Sequence, residues 1–154
     1  MKQHYTNINF YKQMNITIND WVQFNVEGKL TKKRVTGIQD NGKFIQTEET
    51  DVYYTENIYK PIPFTPEIME KNRFKLNEKE TALLSRYDTK VLVYDFPEVL
   101  GNRFFIEYNV EKKVAYLTDH CFTPIRYVNE FQQLLRLMST KVKQAKQILN
   151  NFVV

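Results

Sequence analysis

An α+β fold is what this 154-residue sequence predicts, and three observations carry the expectation. Runs of β-branched and aromatic residues alternate with polar ones over residues 16–59 and again over 90–118, the pattern of half-buried strands. Between them lie two segments with helix-start chemistry, Thr65-Pro66-Glu67 and Asn77 with Glu80 three residues on. After them, Phe131, Leu135, Met138, Val142, Ala145, Leu149 and Phe152 recur at spacings of 4 and 3, a seven-residue repeat held for three heptads. The expected architecture is an N-terminal SH3-like β-barrel or curled sheet, short helices, antiparallel β-strands and a long C-terminal helix.

Taken in order, residues 1–15 are a polar, Asn-rich arm. A β subdomain is expected over 16–64. Its first strand contains Trp21-Val22-Gln23-Phe24, and Val26-Glu27-Gly28-Lys29 reads as a turn. A second strand is expected over 33–38, with Gly37 marking a bend or bulge. Asp40-Asn41-Gly42-Lys43 is the strongest local signal, because Asn-Gly accepts the positive φ angles of a tight hairpin turn. Val52-Tyr53-Tyr54 and Ile58-Tyr59 add strand material before Pro61-Ile62-Pro63 stops the sheet.

Residues 65–127 are expected to form an α+β region with antiparallel strands. A short helix is read from Pro66 to Asn72 and a second from Asn77 to Leu84. Strands are read over 90–96, 103–110 and 114–118, the latter two joined by Glu111-Lys112-Lys113. Residues 122–127 contain Pro124 and read as an edge strand or connector. The final element, residues 128–154, is an amphipathic helix whose regular part over 128–152 would be about 37 Å long at 1.5 Å per residue. A domain of this size is only about 30–35 Å across by compactness scaling, so such a helix must wrap the body or project to meet a partner.

Composition narrows the class. Eleven Phe, ten Tyr and one Trp against four Gly favour strands with large packed side chains. One cysteine, Cys121, forms no internal disulfide, and the N-terminus carries no apolar run of the signal-peptide kind. No stretch reaches the roughly 20 apolar residues that span a bilayer. A cytoplasmic protein, or one inside a virion if phage-encoded, is the expectation, with no membrane partner.

With these elements placed, the chain resembles a family of small uncharacterised proteins common in Bacteroidetes genomes and their phages and mobile elements. The residues that carry the likeness are Ile18-Asn19-Asp20-Trp21-Val22, Arg34-Val35-Thr36-Gly37-Ile38, Lys60-Pro61-Ile62-Pro63-Phe64-Thr65-Pro66-Glu67, Lys71-Asn72-Arg73-Phe74 and Tyr127-Val128-Asn129-Glu130-Phe131-Gln132-Gln133-Leu134. Members show an Ile-Gly-Asn-x-Val opening, a Pro-Ile-Pro-Leu-Thr segment, an Asn-Gly-Phe and a closing Val-His-x-Leu-Gln-Asn-Leu helix. The likeness covers residues 16–140. It departs at Arg73, where members carry glycine, and at Asn129, where they carry histidine. It implies a mobile-element setting and no established activity.

Chemistry-bearing residues are sparse. Asp119-His120-Cys121 is the one local cluster of reactive types, but adjacent residues on extended backbone point to alternating faces, so an ordinary turn is the expected reading. Two histidines and one cysteine are too few for a zinc site. Asp95, Glu111 and Lys113 loosely match a metal-nuclease pattern, yet Glu111 and Lys113 fall in an expected turn. No enzyme and no cofactor are therefore expected.

Charge points to the C-terminus. The net charge is +4, and residues 1–130 hold 18 basic against 18 acidic residues, so all the excess lies in Arg136, Lys141, Lys143 and Lys146. The first functional expectation is a non-catalytic protein-interaction or structural module, phage or mobile-element encoded. It would bind a protein partner or self-associate through Phe131, Leu135, Met138, Val142, Ala145, Leu149 and Phe152. The alternative is a nucleic-acid-binding accessory protein using Lys32, Lys33 and Arg34 of the barrel with Lys141, Lys143 and Lys146 of the helix.

Overall fold

The computed structural model describes residues 16–87, 90–97, 104–117 and 121–154, and for 121–123 the backbone alone. The polar arm at 1–15 lies outside the described residues. The chain divides into two compact units, residues 1–62 and 63–154.

The first unit is a curled antiparallel half-barrel of four strands in sequential order: β1 (Trp21–Val26), β2 (Lys29–Gln39), β3 (Phe44–Thr47) and β4 (Val52–Tyr54). Glu27 and Gly28 both take positive φ, 52° and 81°, which makes the β1–β2 connection a tight turn whose twist matches its strands. The Asn41-Gly42 signal also holds: Asp40, Asn41 and Gly42 all have positive φ between β2 and β3. β2 starts four residues earlier than its pattern predicts and serves two partners. Residues 29–34 pair with β1, then the register shifts at the Val35/Gly37 bulge and the strand continues against β3. That bend curls the sheet, and a bridge from Phe24 to Ile58 brings the chain after β4 back to β1. Val22, Phe24, Val35, Ile45 and Ile58 form the core inside the curl.

Among the described residues, the second unit pairs a five-stranded meander with four helices. Its strands are β5 (Lys75–Leu76), β6 (Val91–Asp95), β7 (Phe105–Asn109), β8 (Val114–Leu117) and β9 (Cys121–Ile125), all antiparallel to their neighbours. Helix α1 (Pro66–Lys71) starts as its sequence dictates, with the Thr65 hydroxyl accepting from Ile68 N–H at 3.4 Å. Helix α2 (Glu78–Leu84) is capped by Asn77, whose Oδ1 accepts from Glu80 N–H at 3.0 Å. Residues 111–113 form the β7–β8 turn, and Lys113 takes φ 53° there.

The C-terminal segment corrects one expectation. In place of a single helix over 128–152 there are two, α3 (Val128–Ser139) and α4 (Lys143–Asn150), packed on each other. The Ser139 hydroxyl donates to the Arg136 carbonyl at 2.6 Å and the Thr140 hydroxyl to the Leu137 carbonyl at 2.7 Å. These side chains satisfy carbonyls that a continuing helix would have bonded through its backbone. Val142 then turns extended, at φ −122° and ψ 98°, and α4 begins. The fold-back seats Phe152 beside Phe131, their ring centres 5.7 Å apart. Phe131 also meets Phe64 at 4.5 Å, Phe74 at 5.7 Å and Phe96 at 6.2 Å, so five phenylalanines share one core.

Tyr94 and Tyr108 are buried on adjacent strands of this unit. Burial pushes both hydroxyls above the ordinary tyrosine range, with the Glu70 and Glu67 carboxylates adding to the effect on Tyr94 and Glu67 to that on Tyr108. A raised folded-state pKa contributes stability that is full below the unfolded value of about 10 and is lost as pH climbs through the folded values. Spectrophotometric titration should therefore show a late-ionising tyrosine fraction that Tyr94→Phe and Tyr108→Phe remove, together with cooperative alkaline unfolding that both substitutions shift to higher pH. Smooth ionisation of all ten near the ordinary value would contradict this.

Candidate binding surfaces

The barrel cations are already engaged. Lys33 forms ion pairs with Glu49 and, at 3.5 Å, with Asp51, and its ammonium lies 5.7 Å from the Tyr53 ring centre. The Glu49 carboxylate, outweighing a small opposing effect of burial, and then Tyr53 hold Lys33 above the ordinary lysine range. Arg34 pairs with Glu48. Lys32 is exposed on the same strand. Of the neighbouring tyrosines, Tyr53 is stacked on Phe24 at 4.3 Å, and the exposed Tyr54 leans on Phe44 at 4.8 Å. A cleft of about 90 Å³ lies beside Trp21, Arg34 and Thr47, and the buried Thr47 hydroxyl has no hydrogen-bond partner among the described residues.

The heptad stripe is spent inside the chain. Phe131, Leu135, Ala145, Leu149 and Phe152 are buried, and Met138 and Val142 are half-buried at the α3–α4 turn. As candidate interface residues they are placed in the core, because the fold-back turns the second half of the stripe onto the first. Leu137, at 71% exposure, is the large apolar side chain of this segment that faces solvent most fully.

The catalytic candidates do not converge. Asp119 and His120 lie outside the described residues, as does the side chain of Cys121. Asp95 accepts from Asn77 Nδ2 at 2.9 Å, while Glu111 pairs with Lys90. Asp95 stands opposite Phe105 and Val91 opposite Asn109, so Asp95 and Glu111 occupy opposite ends of the β6–β7 ladder. At about 3.3 Å per residue the ladder alone separates them by roughly 13 Å, too far to share one metal ion. Among the described residues no three His, Cys, Asp or Glu side chains cluster to hold a metal, and no helix is long and apolar enough to cross a membrane.

A different site emerges in the second unit. Lys71, Arg73 and Lys75 alternate along the chain as it leaves α1 and enters β5, and they line a groove whose other bank is Gln147 and Asn151 of the α4 end. The groove spans about 790 Å³, and among the described residues no acid lines it. Asn72 holds the two banks together from beneath. Its Nδ2 donates to the carbonyls of Val153 at 2.7 Å and Ile68 at 2.8 Å, and its Oδ1 accepts from Val153 N–H at 2.9 Å. Arg73 follows at φ 66°, closing α1 in a conformation that glycine adopts more readily. Lys141, Lys143 and Lys146 are exposed on the same hairpin, and Lys143 stands one helical turn before Gln147 on the same face of α4.

The sequence reading missed Lys71, Arg73 and Lys75. Their clustering as three cations within the five residues Lys71-Asn72-Arg73-Phe74-Lys75 was a visible signal. Their partners in the 147–151 stretch were not visible, being more than 70 residues away. Family models, curated proteins and solved structures were each compared with the chain, and none matches.

Asn72→Ala removes three hydrogen bonds and leaves both polar backbone groups of Val153 without their partner. Hydrogen bonds of this kind contribute about 0.5–1.5 kcal/mol each, so the unfolding free energy should fall by about 1–3 kcal/mol and the denaturation midpoint with it. Amide exchange at residues 152–154 should also rise more than elsewhere. An unchanged midpoint would show that the clamp contributes nothing.

Proposed function

We propose that this chain is a non-catalytic, nucleic-acid-binding accessory module that works through its basic C-terminal helix pair. The observation that carries the reading is one of charge. Lys141, Lys143 and Lys146 are exposed in a stretch, 131–154, that contains no acid, and the adjoining groove adds Lys71, Arg73 and Lys75. The barrel makes a smaller contribution, because Glu48, Glu49 and Asp51 neutralise Lys33 and Arg34. Together with the resemblance described above, the setting proposed is that of a phage or mobile element. Association through the heptad stripe is less well supported, since most of that stripe is buried.

Phosphate contacts made by lysines release counterions, so affinity should fall steeply with salt. Fluorescence anisotropy with labelled DNA and RNA oligonucleotides across a salt series measures this. The triple variant Lys141→Gln, Lys143→Gln, Lys146→Gln should bind about tenfold or more weakly, and its log–log salt slope should flatten by about 2, given roughly 0.7–0.9 per phosphate contact. Absence of any binding at low salt would refute the reading.

A further inference from the structure

We propose that the groove between the α1–β5 corner and α4 is a phosphodiester site for single-stranded nucleic acid, one that holds the backbone without reading the base. This rests on the nucleic-acid reading above and names the polymer and the place.

The charge balance favours an anion. The C-terminal ends of α1 and α4 both open on the groove, and each is equivalent to about half a negative charge. Lys71 and Arg73 carry two full positive charges against that, so the cations win, with Lys75, opposite Asp95 across the β5–β6 pair, bordering them. Gln147 and Asn151 add amide N–H donors, and Lys143 prolongs the cationic row along α4. Arg73 brings a planar fork suited to two phosphate oxygens at once.

Shape selects the strand. The cations line a recess of about 790 Å³, well inside the roughly 300–1,000 Å³ range of ligand clefts. A duplex is a convex cylinder whose phosphates stay outside such a recess, whereas one flexible strand can thread it. Among the described residues the uncharged walls are Pro97, Ile148 and Val153, none of them aromatic. These walls offer no surface for base stacking, the usual source of base preference and extra affinity on single strands.

Arg73 supplies the sharpest test, because its φ of 66° suits glycine. Arg73→Gly relieves backbone strain while removing a groove cation, so the fold is retained as the site is weakened. The full-length chain is titrated at low salt with a labelled oligo-dT strand, an abasic strand of equal length and a duplex of equal length. The oligo-dT and abasic strands should bind alike, and both about tenfold more tightly than the duplex. Arg73→Gly should weaken strand binding about tenfold and flatten the salt slope by about 1, at an unchanged or higher thermal midpoint. Strand binding that survives Arg73→Gly and Lys71→Gln would overturn the groove while leaving the nucleic-acid reading intact. Duplex binding as tight as strand binding, or a mononucleotide competing as well as the strand, would overturn the assignment to a single-stranded polymer. No binding of any nucleic acid would overturn this proposal and the functional reading together.

Discussion

Phe131 sits where four segments far apart in the chain must meet. Its ring touches Phe64 ahead of α1, Phe74 after α1, Phe96 after β6 and Phe152 after α4. An unbroken helix would hold residues 131 and 152 roughly 32 Å apart, at 1.5 Å per residue. The observed ring separation is 5.7 Å. Burying a large aromatic or aliphatic side chain is worth about 1.5–3 kcal/mol, and the fold-back buries Ala145, Ile148, Leu149 and Phe152. Interrupting a helix forfeits a few hydrogen bonds of about 1 kcal/mol each, and the Ser139 and Thr140 hydroxyls recover part of that. Core burial outweighs helix continuity, and the hairpin follows.

The groove is a consequence of the same fold-back. With α4 returned along α3, its last turn and the residues after it come against the end of α1, where Asn72 bonds both polar backbone groups of Val153. The apolar side of α4 faces inward and leaves Lys143, Lys146, Gln147 and Asn150 outside. Three cations that leave α1 in alternation then face two amides at the end of α4. Chemistry distant in sequence is assembled by a hydrophobic constraint.

Much of the fold was legible because its signals are local. Asn41-Gly42, the bulge at Gly37, the Thr65 and Asn77 caps and the 111–113 turn each rest on backbone preferences of a few residues. The helix break was not legible, because apolar spacings of 4 and 3 are the same for one long helix and for two joined by a tight link. The Ser139-Thr140 pair was its only local trace. β5 is two residues long, too short for any periodicity to register. The site was least legible of all. Composition placed the excess charge on the last segment, but the pairing of Lys33 with Glu49 and of Arg34 with Glu48 depends on cross-strand register. The groove depends on tertiary packing that no local pattern encodes.

The most direct measurement is the nuclear Overhauser contact between the ring protons of Phe131 and Phe152. With centroids 5.7 Å apart, the rings should show strong cross-peaks, alongside chemical shifts that lose helical character at Val142. Missing cross-peaks, with helical shifts running unbroken from 128 to 152, would contradict the account. The apolar stripe would then be free for a partner, and the groove would lose its second bank.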